Sequence, residues 1–84
     1  MNYTVSWLPD AEAESANVRV NSHRRAEVTR AAAELDRRLA DYGPEEGESR
    51  PGGRRITFVK PVSIIFRVYE ETKTVPVTQV WEYR

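Results

Sequence analysis

The chain has no cysteine, a single histidine and no long apolar run, and each scarcity removes a class of function. Without cysteine, disulfides and thiolate metal sites are excluded, and His23 alone cannot build a histidine zinc site. Neither a metal nor a cofactor is expected. No apolar stretch approaches the roughly 20 residues that span a bilayer, and the opening "MNYTVSWLPDAEAE" has no basic segment followed by an apolar one. The expectation is a soluble, cytoplasmic protein with no membrane partner. A chain of 84 residues makes one domain, residues 1 to 84, with a modest core, so work at the surface is expected rather than in a deep pocket.

A net charge of zero argues against a general nucleic-acid binder, but the charge is unevenly spread. Residues 1 to 53 carry seven basic and ten acidic side chains, whereas residues 54 to 84 carry six and three, so the C-terminal part is the cationic pole. Eleven of the 13 basic residues are arginine, whose planar fork suits carboxylates and phosphates.

In "NYTVSW", Tyr3, Val5 and Trp7 alternate with Asn2, Thr4 and Ser6, which predicts a half-buried strand. Pro9 and the acidic residues after it open a short helix that ends by Asn21. In the next helix Val28, Ala32, Leu35, Leu39 and Tyr42 form one apolar stripe, with Ser22 placed to cap it and Gly43-Pro44 to stop it. Glu34 lies four residues before Arg38, a supporting pair on the solvated face. Two antiparallel helices on one sheet face follow. "GPEEGESRPGG", residues 43 to 53, has no apolar side chain and is expected to be an exposed connection.

Three strands are predicted after it, at about residues 54 to 59, 62 to 69 and 74 to 83. Ile56 and Phe58 share one face of the first, and Val62, Ile64, Phe66 and Val68 one face of the second. A hairpin that turns both sets to the helices has a three-residue loop, Lys60-Pro61-Val62, and sets Arg55 opposite Arg67. Like charges so placed are unfavourable unless an acid or a bound anion lies between them, and the open face thereby becomes a candidate anion site. The last strand has two readings. Simple alternation buries Val75, Val77, Gln79, Trp81 and Tyr83, whereas a bulge near Thr78 buries Val80 and turns Gln79, Trp81 and Tyr83 towards Arg67.

The order strand, two helices, three-stranded meander, with "YTVSWLPDAEAE", "RAEVTRAAAELDRRLA" and the ending "RRITFVKPVSIIFRVYEETKTVPVTQVWEYR", resembles the RelE/ParE superfamily of toxins from type II toxin-antitoxin modules. The resemblance implies an α+β fold, RelE-like β-α-α-β-β-β, with two antiparallel helices packed on one face of a small, mainly antiparallel sheet. It also implies a growth-inhibiting toxin held inactive by a cognate antitoxin protein. In the RelE branch the partners are the ribosome and mRNA, which is cleaved; in the ParE branch the target is DNA gyrase. Cleavage has a 2′-hydroxyl attack the adjacent phosphate and needs a base, a cation and an acid. The catalytic candidates under this resemblance are Arg55, Arg67, Tyr83 and Arg84, with Arg54, Lys60 and Trp81 as RNA-binding candidates.

This sequence departs from RelE-type nucleases at Thr57 and Ser63, where those proteins often carry a lysine and an arginine, and at Glu82 in a usually basic segment. The family's C-terminal helix is also absent. Three readings follow: a ribosome-directed RelE-like toxin first, a ParE-like gyrase inhibitor without catalysis second, and a non-toxic antitoxin-binding domain third.

Overall fold

Pro9 supplies a preset φ at the start of a helix, and Asp10 and Glu12 place negative charge beside its exposed N–H groups. The computed structural model, which describes residues 2–83, accordingly has α1 at Pro9–Asn21, after a first strand β1 at Thr4–Trp7. The face of α1 that meets the sheet is built from small residues, Ala11 and Ser15, both buried. Helix α2, Arg25–Tyr42, buries Val28, Ala31, Leu35, Leu39 and Ala40. Tyr42, assigned to the apolar stripe from spacing, is 51% exposed, because the buried row slips onto Ala31 and Ala40 as a 3.6-residue period drifts. Ser22 is not the cap of α2. Its Oγ accepts the Arg24 N–H and donates to Glu82, fixing the turn between the helices instead.

Residues 43 to 53 are more ordered than an open connection. Two 3₁₀ turns, Gly43–Glu45 and Pro51–Gly53, flank a short strand β2, Glu48–Arg50. Strands β3 (Arg54–Val59), β4 (Val62–Phe66) and β5 (Thr74–Glu82) complete a five-stranded sheet of order β1-β5-β4-β3-β2. All neighbours are antiparallel except β1 and β5, which run parallel, so the expected two-helix, mainly antiparallel α+β fold is present with one strand more than anticipated. The core lies between helices and sheet and is formed by Phe66, Leu35, Leu39, Ile64 and Val28 with Val62, Val75 and Val77. No helix of the described residues is long and apolar enough to cross a membrane.

The register of the β3–β4 hairpin differs from the expected one. Its connection is two residues, Lys60-Pro61, joined by a cis peptide bond, and it pairs Val59 with Val62, Thr57 with Ile64 and Arg55 with Phe66. Shortening the loop by one residue turns every β3 side chain to the other face. Thr57 therefore enters the helix side and is buried, while Phe58, expected in the core, is 59% exposed. In β5 the bulged reading holds. Ile65 pairs with Gln79 and Phe66 with Val77, so Thr78 is the extra residue; Val80 is buried and Gln79 exposed. The Thr78 hydroxyl donates to the Ile65 carbonyl and the Glu14 carboxylate accepts the Val80 N–H, which satisfies the backbone where the ladder shifts.

Candidate functional site

The sheet face turned away from the helices is the open one, and strand alternation fixes what it carries. At the Lys60-Pro61 end, Phe58 stands opposite Ser63, and Ser63 opposite Trp81. The Phe58 and Tyr83 rings meet edge to face, 5.6 Å between centroids at 88°. Next comes a row of Ile56, Ile65 and Gln79. At the far end Arg50 pairs with Arg54, and Arg67 follows Phe66 on the open side. The face thus grades from aromatic to apolar to cationic.

The sequence-derived candidates are separated by this arrangement. Arg55 shares the helix side with Thr57 and is spent on the preceding loop: its Nε donates to the Glu46 carbonyl at 3.0 Å, Nη2 to the Gly47 carbonyl at 3.0 Å, and Nη1 to Ser49 Oγ at 2.8 Å. The expectation that Arg55 and Arg67 meet on one face is therefore wrong, for the reason already given for Phe58. Arg54, not Arg55, is the β3 arginine on the open face, and its Nε donates to the Pro51 carbonyl. Arg67 Nη1 donates to the Gly52 carbonyl. Tyr83 lies at the other end, its N–H bonded to the Pro61 carbonyl. Arg67 lies six positions after Pro61, about 20 Å of strand at about 3.4 Å per residue. Arg84 lies outside the described residues.

Lys60 is also turned from the aromatic end. It lines a cleft of about 720 Å³ with Ser22, His23, Arg24 and Glu82 on the helix side. Trp81 is half-buried on the open face. Glu82, which breaks the basic ending, is not on that face at all: it accepts from Ser22 Oγ and from Arg24 Nε and Nη2, and Arg24 also donates to the Tyr83 carbonyl. Arg24 and Glu82 thereby clasp the end of β5 to the turn between the helices.

Charged groups elsewhere act as local supports. Hydrogen bonds from Arg37 and Arg38 hold the Glu34 carboxyl below the usual range. Those from Lys73 and Tyr3 do the same for Glu70 in the β4–β5 connection. Between α1 and α2 runs a groove of about 590 Å³ floored by Ser15 and Ala32 and edged by Trp7, Arg19 and Asp36. The Trp7 indole N–H donates to Asp36 at 2.8 Å.

Phe58, Arg50 and Arg24 were missed from sequence. For Phe58 the sequence left the parity open: two-residue hairpin loops are the commonest, but Lys60-Pro61 carries none of the Asn-Gly or Gly residues that mark one. Arg50 lay in a segment without strand periodicity, and Arg24 gave no local signal of a bond to a residue 58 positions away.

No protein-family model matches the chain, and no curated protein matches it in sequence. Solved structures do. A chain of the chromosomal ParDE TA system from P. aeruginosa superposes with a TM-score of 0.74 at 17% identity, covering 99% of this chain and 98% of that one. A chain of the RelBE2 toxin-antitoxin complex from Mycobacterium tuberculosis gives 0.64 at 22% identity with full coverage of both. A chain of the intact E. coli RelBE toxin-antitoxin complex gives 0.66 at 15% identity, with 98% of each covered. Over essentially its whole length, this chain has the fold of the RelE/ParE toxins.

Proposed function

We propose that this protein is the toxin of a toxin-antitoxin pair and arrests growth by binding its target through the open sheet face, without cleaving RNA itself, in the manner of the ParE branch. The fold shared with chains of three toxin-antitoxin systems supports the toxin reading. One observation carries the choice of branch: among the described residues, which do not include Arg84, the proton-moving and cationic candidates do not converge. Tyr83 sits with Phe58 at one end, Arg67 is anchored to Gly52 at the other, and Arg55 and Lys60 lie on the helix side. Phosphodiester cleavage requires an acid, a base and a cation within reach of one phosphate. Recognition by contact requires only an accessible patch, and Phe58, Ile56, Ile65, Trp81 and Tyr83 supply one.

The antitoxin belongs to the same proposal. A segment crossing the α1–α2 groove and reaching the sheet would cover both the groove and the open face, with acidic side chains meeting the arginines. Induced expression without the antitoxin tests the branch. Thymidine incorporation should fall first and the DNA-damage response should rise while amino-acid incorporation persists. Early loss of amino-acid incorporation, with cleaved mRNA, would overturn the gyrase-directed reading and restore the ribosome-directed one.

A further inference from the structure

We propose that Arg50, Arg54 and Arg67 form a binding site for phosphate groups at the corner of the open face farthest from Tyr83. Arg50 is the direct cross-strand partner of Arg54. Arg67 comes one residue after Phe66, which pairs with Arg55, so it extends the same row by one strand. Neighbouring strands lie about 4.8 Å apart, and three guanidinium stems therefore rise across about 10 Å of sheet. Like charges directly opposite one another are unfavourable, and the row is relieved when an anion lies among them.

The three forks are held in place rather than free to diverge. Arg50 Nη1 donates to the Ser49 carbonyl at 3.0 Å, Arg54 Nε to the Pro51 carbonyl at 3.1 Å, and Arg67 Nη1 to the Gly52 carbonyl at 2.5 Å. Each bond uses one of five N–H donors, so most of the donating capacity remains. A Cβ at Gly53 would stand 3.2 Å from Arg67 Nη1; glycine leaves the space in which Arg67 lies against the turn. Among the described residues, the carboxylate recorded against the row is Glu48, 3.5 Å from Arg50, which leaves positive charge in excess.

The chemistry favours phosphate over carboxylate. A carboxylate has two coplanar oxygens and is satisfied by one fork, whereas a phosphate presents oxygens around a tetrahedral centre that forks from three strands can share. The phosphate has two sources, a free phosphate compound or the phosphodiester backbone of a nucleic acid. The site goes beyond the proposed target binding and does not depend on it.

The test is thermal unfolding of the protein at constant ionic strength with pyrophosphate, a short abasic single-stranded DNA or hexaglutamate, with sodium chloride as reference. Pyrophosphate at ten times its dissociation constant should raise the Tm by about 5 °C or more, and Arg54→Gln/Arg67→Gln should abolish the rise. The control pair Arg25→Gln/Arg30→Gln, exposed on α2, should keep it. Broadening of the pyrophosphate ³¹P resonance by wild type, lost in Arg50→Gln, reads the same site without relying on the double variant folding. Tighter binding of the DNA than of pyrophosphate assigns the backbone source, and equal binding assigns a free compound. No rise above chloride, a rise that survives in Arg54→Gln/Arg67→Gln, or an equal rise with hexaglutamate overturns the proposal.

Discussion

Two arginines twelve positions apart illustrate how residue type alone leaves a role undecided. Arg55 makes three hydrogen bonds to the loop of residues 46–49 and ties β2 to the body of the sheet, whereas Arg67 makes one, to a turn carbonyl. Bonds from a charged donor contribute about 1.5 to 3 kcal/mol each when the acceptor is otherwise desolvated, and much less where water replaces them. Glu46, whose carbonyl accepts the Arg55 Nε–H, is half-buried. Arg55→Ala is expected to lower stability by about 1 to 3 kcal/mol, and Arg67→Ala to change it by less than about 0.5 kcal/mol, since it also removes a repulsion from Arg54. Urea unfolding of the two variants checks this. Equal losses would mean that Arg67, too, is a structural residue and that the open-face corner is held together by it.

At the scale of elements, the segment from Gly43 to Gly53 anchors β3 in the parity it adopts, because β2 and the Arg55 contacts are both built there. Gly47 has φ +73° and a Cβ at that position would fall 2.1 Å from the Ile56 carbonyl oxygen, so no side chain fits without displacing β3. Gly52 has φ +80° but an added Cβ there meets nothing within 4 Å. Gly47→Ala should therefore destabilise the fold by more than about 2 kcal/mol, and Gly52→Ala by only the backbone cost of about 1 kcal/mol. Chemical denaturation compares them; a Gly52→Ala loss as large as that of Gly47→Ala would show that conformation, not space, governs this loop. The same segment marks where the sequence stops being legible. Helices α1 and α2 announce themselves through Pro9, the acidic first turn and the Val28-Leu35-Leu39 spacing, because helix periodicity is written within one element. The parity of β3 is not, since Ile56, Thr57 and Phe58 pack acceptably either way and only the length of the Lys60-Pro61 connection chooses. The bulge at Thr78 was legible as one of two options, because burying Gln79 leaves an amide without a partner. The clasp of Arg24 on Glu82 was not, for it joins elements that meet only after folding.

Of the surfaces left open among the described residues, the α1–α2 groove and the open sheet face carry one tryptophan each. Trp7 lies at the edge of the α1–α2 groove with its indole on Asp36, and Trp81 lies on the open sheet face opposite Ser63. A partner that only fills the helical groove changes the environment of Trp7, and a target that only docks on the sheet changes that of Trp81. An antitoxin segment that crosses from one to the other must change both. With Trp7→Phe and Trp81→Phe, each a change of one aromatic for another at a half-buried site, the remaining tryptophan reports its own surface. Binding of the proposed antitoxin should shift the emission of both single-tryptophan proteins, with the same dissociation constant, because one event covers both sites. Binding of gyrase to the antitoxin-free protein should shift Trp81 alone. If the antitoxin moves Trp7 and leaves Trp81 unchanged, neutralisation acts from the helix side without occupying the target face. The crossing geometry would then be wrong, and a ternary complex of antitoxin, toxin and target would become possible in its place.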